Sequence, residues 1–265
     1  MRKTLKVVAF GGGPADAFIK AAGITDSTQQ TAIKTLVNDL NGYGLWSKMK
    51  AIYPMVGGTA STHKFNLKDP RDLDAAFRLV FNGGWTHSST GAAPNGTNAY
   101  ADTKLNPSTA LTNNNYHLTH YSRTQKTTGG EVDLGAISPS PIMISLSQYY
   151  QGAGKAFVAG DYNTSVIINS AATNTRGFQV NTRTSQTSAK MFFNNTQIGS
   201  TLTLSNPNPL PLVNISVGSN YGTTAYEFSA KENAFCSIGD GLTDTDASNL
   251  YTIIQNYQTI LSRQV

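Results

Sequence analysis

The sequence is short of cysteine, of charge and of long apolar runs, and each shortage removes a class of protein. A single cysteine, Cys236, stands among 265 residues, so no intrachain disulfide can form and the fold must rest on its own core. Charged residues make up only 13%, which is unlike a charge-rich helical bundle or a disordered tail. The net charge is +5, but the basic residues are scattered and no run forms a polybasic stripe, so nucleic acid is not an expected partner. No apolar run approaches the roughly 18 residues of a membrane-spanning helix. The stretch from Leu5 to Phe10 is too short for the apolar core of a signal peptide. The expectation is a soluble protein made in a cytoplasm.

What the chain has instead is Thr, Asn, Ser and Gly, which suit strands and turns. From Met49 onward, short alternating pieces such as NNYHLTHYSRT, IMISLSQYY, GFQVNTRT and LVNISVGS are separated by turn clusters. Asn95-Gly96 marks a turn before a strand around Tyr100, and Asn194-Asn195 marks a hairpin in KMFFNNTQIG. This spacing predicts a β-sandwich or jelly roll, not a parallel α/β sheet. Two helices frame it. Ile33, Leu36, Val37 and Leu40 recur at helical spacing behind an Asp26…Gln29 capping pattern, with Gly42 as the stop. Leu250, Ile253, Ile254, Tyr257, Ile260 and Leu261 give a second apolar face near the C-terminus. No internal repeat is present.

Several chemistries can be tested on the residues. LKVVAFGGGPADAFIKAAG looks like a dinucleotide loop, but Asp16 occupies the third glycine position and a helix follows where a second strand is required. The bland reading is an N-terminal arm, with Gly11, Gly12 and Gly13 as its hinge. Glu131-Val132-Asp133 places two acids on one strand face, as a retaining glycosidase needs, but Ala136 stands where that pattern puts its second glutamate. A solvated rim position is the expected setting for both acids. His117 and His120, three apart on a strand, point to opposite faces, so they read as structural. His63 and His87 read as isolated, and Cys236 as a small buried side chain. Asp240, Asp244 and Asp246 miss the calcium-loop pattern; Thr243 with Asp246 fits a helix start better. No catalytic, cofactor-binding or metal-binding residue is therefore assigned. A lectin-like surface would use exposed aromatics, for which Trp85, Tyr100, Tyr149, Tyr150, Tyr162 and Tyr221 are available.

The order of the pieces carries a resemblance. NGTNAYADTKLNPSTALTNNNYHLTHYSRT, RGFQVNTRTSQTSAKMFFNNTQIGST and AFCSIGDGLTDTDASNLYTIIQNYQ resemble concanavalin-A-like (laminin-G-like) domains. The phrases YPMVGGTASTHKFNLKDP and SIGDGLTDTDASNLYTIIQNYQTILSRQV also resemble a module of virion proteins of bacteriophages that infect Bacteroidetes, including crAss-like phages. That likeness covers roughly residues 23–265. It implies a mainly β, concanavalin-A-like jelly-roll sandwich over residues 24–265, with an N-terminal helix packed on it and a short C-terminal helix. Residues 1–23 would form the attachment arm. The implied function is a non-enzymatic fibre or decoration protein displayed on the virion, on the head. Leu5, Val7, Val8 and Phe10 would add a strand to a capsid or fibre-base partner. A homo-oligomer, dimer or trimer, is expected. The alternative is a receptor-binding tail fibre or lectin-like domain that recognises host-surface glycans.

Overall fold

The computed structural model describes residues 12–138, 142–150, 153–161, 166–169, 173–204, 209–221 and 225–265. Its helices are α1 (Pro14–Ala22), α2 (Ser27–Gly42), α3 (Ala60–His63), α4 (Pro107–Ala110) and α5 (Asp244–Ile260). The first strands are β1 (Met49–Tyr53), β2 (Val80–Asn82), β3 (Trp85–Ser88), β4 (Gly91–Pro94), β5 (Tyr100–Asp102) and β6 (Tyr116–Ser122). Next come β7 (Leu134–Ile137), β8 (Ile142–Tyr150), β9 (Ala153–Asp161), β10 (Val166–Asn169), β11 (Gly177–Ser185), β12 (Ser188–Phe193) and β13 (Thr196–Leu202). The last are β14 (Ser216–Val217), β15 (Asn220–Tyr221), β16 (Ala225–Tyr226) and β17 (Asn233–Gly239).

These strands form the expected sandwich. One sheet runs β13-β12-β11-β6-β17-β4-β3, with β1 also paired to β17. The other runs β10-β9-β8-β7-β14-β5-β2, with β15 joined to β7 and β16. The centres of both are antiparallel, and β15 lies parallel to β7. Asn194 and Asn195 take positive φ angles of 44° and 66° and close the β12–β13 hairpin as expected. The turn at Asn95-Gly96 does something different. It carries the chain from β4 in the first sheet to β5 in the second, so it joins layers and not hairpin strands.

Helices add a third layer. Phe18 of α1, Ile33, Leu36 and Leu40 of α2, and Leu250, Ile254 and Tyr257 of α5 pack against Ile52, Tyr121, Phe178 and Phe235 of the first sheet. The opposite face of that sheet meets the second one through Tyr116, Leu118, Cys236, Leu134, Ile144 and Leu146. The first sheet is therefore covered on both sides, and β6 and β17 are buried at every position. Each large apolar side chain so buried stabilises the fold by about 1.5–3 kcal/mol.

The helix ends follow the sequence signals closely. The Asp26 carboxylate accepts the Gln29 N–H at 2.8 Å. Gln29 does not complete the box; its side-chain oxygen accepts the Gly57 N–H instead. Thr243 and Asp246 form the full reciprocal box, and α5 runs 17 residues, so the closing helix is longer than expected. Of the expected arm, residues 1–11, with Leu5, Val7, Val8, Phe10 and Gly11, lie outside the described residues. The helix that follows them, α1, starts on Pro14 and buries Ala15, Phe18 and Ala22 in the helical layer. Gly23, at φ 66°, ends it and α2 follows, so no βαβ unit forms.

The C-terminal tail closes the molecule. Arg263 is 1% exposed. Its guanidinium donates to the carbonyls of Met55 (2.7 Å), Pro54 (2.8 Å) and Ala234 (2.7 Å), and to Gln258 Oε1 (2.6 Å). It thus joins the exit of β1, strand β17 and α5 at one point. Arg123 Nε donates to the Arg263 carbonyl, and the Val265 N–H donates to the Tyr121 hydroxyl. Arg263→Met strands buried carbonyls that each cost about 1–3 kcal/mol, so it is expected to lower unfolding stability by roughly 3 kcal/mol or more. Urea unfolding checks this; an unchanged midpoint removes the tail from the account of the fold.

Candidate functional site

The paired acids were expected on a solvated rim, and here the structure corrects the sequence reading. Glu131 is 5% exposed and Asp133 is 1% exposed. They do share a face, as alternation requires, and a single ammonium lies between them. Lys231 Nζ sits 3.0 Å from Asp133 Oδ1 and 3.4 Å from Glu131 Oε2. Lys126 pairs with the other oxygen of Glu131. Burial alone would raise the Asp133 pKa. Lys231, the Gln148 N–H and the Ser229 hydroxyl overcome it and hold the carboxyl below its usual range. Ala136, the position that would carry a second catalytic acid, is core. Sequence missed this cluster because Lys231 arrives from a distant loop.

The histidines divide into two kinds. His117 and His120 face opposite ways, as expected. His117 contacts the Asp240 carbonyl at 2.6 Å and the Ser237 hydroxyl at 3.2 Å. His120 lies by Asp133 and Lys231. Burial pushes each of these two down to about 4. His63 and His87 are not isolated: their Nδ1 atoms are 2.9 Å apart. One stands at the end of α3 and the other on β3, and nothing in their sequence spacing signals the contact. Cys236 is fully buried in β17, where burial raises its thiol to about 12.

The three acids near α5 go to three different lysines. Asp240 pairs with Lys50 (3.2 Å), Asp244 with Lys190 (2.7 Å) and Asp246 with Lys48 (2.6 Å). This is helix capping and surface pairing. Among the described residues, no three His, Cys, Asp or Glu side chains gather in a metal-binding group.

The aromatics expected at a lectin-like surface are scattered, and one of them nucleates a cluster. Tyr150 is buried, with Lys155 Nζ 4.7 Å above its ring and Glu227 accepting its hydroxyl. Tyr149 is half-buried on β8. Tyr162 and the side chain of Tyr221 lie outside the described residues. Trp85 is the exception. It lies on β3, an edge strand of the first sheet, and Phe81 lies on β2, an edge strand of the second. Their ring centroids are 5.1 Å apart and nearly edge to face. His87, two residues along β3, lies 25° from parallel to Trp85 at 6.1 Å and edge-on to Phe81 at 4.6 Å. All three rings are half-buried and form a ledge where the sheet edges meet.

The backbone fixes this ledge. Trp85 Nε1 donates to the Asn82 carbonyl at 3.0 Å and lies 3.4 Å from that of Tyr100. Gly83 turns β2 into β3 at φ 74°, with the Asn98 carbonyl where a Cβ would stand. Gly218, at φ 82°, lets the indole lie against the backbone, because a Cβ there would be 3.2 Å from Trp85 Cη2. Beside Phe81 lies a shallow cleft of about 350 Å³ lined also by Ser61, Lys64, Arg78 and Val80. Its charges are balanced. Lys64 and Arg78 both bind Asp72, at 2.5 and 2.9 Å, and Arg78 also binds Asp74 at 2.8 Å. Aromatic faces beside hydrogen-bonding groups suit a ligand with both apolar and hydroxylated faces.

Neither a protein-family model nor a curated protein sequence matches the chain. Solved structures do match its fold. A mutant of Trypanosoma rangeli sialidase displaying trans-sialidase activity is 10% identical over 88% of this chain and 39% of that one, with a TM-score of 0.50. A mutant of HCR/D is 12% identical over 78% of this chain and 52% of that one, with a TM-score of 0.52. The binding domain of botulinum neurotoxin serotype G is 11% identical over 78% of this chain and 51% of that one, with a TM-score of 0.48. At these identities the likeness is one of fold, a β-sandwich. The chain spans well under half of the sialidase chain. Among the described residues, no helix is long and apolar enough to cross a membrane.

Two outcomes follow from the buried charges. Lys231→Met leaves two carboxylates without their shared partner and is expected to cost about 3–5 kcal/mol at neutral pH. The loss should shrink in mild acid as Asp133 takes a proton. In the natural chain, His117 and His120 stay neutral when folded, but the unfolded chain protonates below about 6.5. Stability is therefore full above that pH and falls toward about 4. Thermal melts between pH 8 and 4 check both; a flat profile contradicts the burial assigned to these rings.

Proposed function

We propose that this chain is a non-enzymatic recognition module that binds carbohydrate on the ledge of Phe81, Trp85 and His87. The ledge itself carries the reading. Three half-buried rings gather at the open edge of the sandwich beside a charge-balanced cleft lined by both polar and apolar side chains. Ring faces stack on the apolar side of a sugar, and cleft groups hydrogen-bond its hydroxyls. Because Lys64 and Arg78 are already neutralised, the preferred ligand is a neutral sugar, not an acidic one. The acid cluster supports binding without hydrolysis. A glycosidase needs two carboxyl groups free to reach the sugar bond. Here Lys231 and Lys126 engage the close pair, and the sandwich interior encloses it.

The setting we propose is a bacteriophage particle, with the module displayed on the head as a fibre or decoration protein in two or three copies. The sequence resemblance of YPMVGGTASTHKFNLKDP and of the closing segment to phage virion modules supports this. The N-terminal arm, with Leu5, Val7, Val8 and Phe10, would dock it to other virion proteins. Several copies would raise avidity for a host-surface glycan.

Titration with neutral oligosaccharides tests the ledge. Trp85→Ala, and Ser61→Trp at the exposed cleft rim, are each expected to weaken binding at least about tenfold, or roughly 1.4 kcal/mol. Absence of binding by the natural chain, or binding indifferent to both changes, defeats the reading. A map of the intact particle tests the setting. Removal of residues 1–13 should leave the sandwich folded and the particle undecorated.

A further inference from the structure

We propose that His63 and His87 form a proton-operated latch on the aromatic ledge, which releases bound sugar when the medium turns acidic. The release rests on the carbohydrate reading above; the latch itself does not. The argument starts from one backbone group. The Gly58 N–H donates to His63 Nε2 at 3.2 Å, so that nitrogen carries no proton. The proton of the His63 ring is then on Nδ1, 2.9 Å from His87 Nδ1. His87 Nδ1 must accept it, which puts the proton of His87 on Nε2. Each ring is neutral and held in one tautomer.

A further proton has no place in this arrangement. On His63 Nε2 it would oppose the Gly58 N–H. On His87 Nδ1 it would oppose the His63 Nδ1–H. The charged groups around the pair do not help. The Arg263 guanidinium bears on His63 from the tail and disfavours a second positive charge. Lys64, next along the chain, is turned to Asp72. Glu232, beneath the β3–β4 turn, is engaged by Arg123 and the Thr90 hydroxyl. Burial lowers both rings, His63 to about 3, so the pair holds through neutral pH. His63 is 1% exposed and His87 only half-buried, so solvent protons reach His87 first. Once charged, His87 must part from His63, and with it goes its packing on Trp85 and Phe81. The ledge then loses one ring of three.

The test uses the full chain with Trp46→Phe, which leaves Trp85 as the single tryptophan. Nitrogen-detected NMR of the histidine rings and Trp85 emission are followed from pH 8 to 4. The expected result is a His63 ring protonated on Nδ1 at neutral pH. One transition below pH 6.5 should then move the His87 signals and Trp85 emission together. His87→Asn keeps an acceptor for His63 but cannot titrate, so the Trp85 transition should vanish. His63→Phe frees His87 Nδ1, so the His87 midpoint should rise toward its ordinary value of about 6.5. Sugar binding by the natural chain should weaken about tenfold across the same transition, whereas His87→Asn, which lacks the ring at every pH, should already bind weakly at pH 8 and show no further step. Two rings that titrate independently near 6.5, or a Trp85 transition that survives His87→Asn, overturn the latch. A latch that titrates as described in a chain that holds no sugar at pH 8 overturns the carbohydrate reading and its release, and leaves the latch standing. Binding that ignores pH while the rings titrate overturns release alone.

Discussion

Burial of the first sheet on both faces is the constraint from which most of this structure follows. Helices cover one side and the second sheet covers the other, so β6 and β17 reach no solvent at any position. Every polar side chain on those strands must then find its partner inside the protein. His117 turns to Ser237 and the Asp240 carbonyl, and Thr119 also bonds Ser237. Neutral histidine and un-ionised thiol are the states such a site permits, because a lone charge there would lose its hydration without recompense.

The charges that do enter the interior are tied to remote segments. Lys231 brings the loop before β17 onto the segment that leads into β7, through Glu131 and Asp133. Arg263 gathers carbonyls from Pro54, Met55 and Ala234. An apolar side chain could fill either space, but it would not demand one geometry. A guanidinium among carbonyls has few satisfactory positions, so it sets how tail, strand and loop meet. The two clusters differ in kind: Lys231 is balanced by carboxylates, while Arg263 is held by backbone dipoles and by the Tyr257 ring, 5.3 Å away.

Closing the centre of the sandwich leaves its edge as the place where we propose recognition occurs. Strands β2 and β3 are the free margins of the two sheets, and their rings meet there. Gly218 lets the backbone come close to the indole, and Gly83 lets the β2–β3 turn pass the Asn98 carbonyl. The adjacent cleft mixes apolar and hydrogen-bonding groups without net charge, because Lys64 and Arg78 already have their carboxylates. Under the proposed reading, such a surface would select shape and hydroxyls over ionic attraction. The same edge carries His87, so any event that displaces this ring alters the surface a ligand meets.

Local signals in the sequence determined local structure. Asp26 and Thr243 with Asp246 marked the helix starts, Asn194-Asn195 marked the hairpin, and alternation gave a β-sandwich with His117 and His120 on opposite faces. Trp85 was among the legible surface aromatics. Three features were not legible. Glu131 and Asp133 looked solvated because Lys231 is far along the chain. His63 and His87 looked isolated because they sit on different elements. Asn95-Gly96 was legible as a turn before the strand at Tyr100, but not as the crossing from one sheet to the other. Periodicity and capping arise between residues a few positions apart, so a sequence displays them directly. Charge pairing, the tautomers of a histidine pair and an aromatic ledge arise between segments that meet only once the sheets stack. Tertiary packing alone decided those.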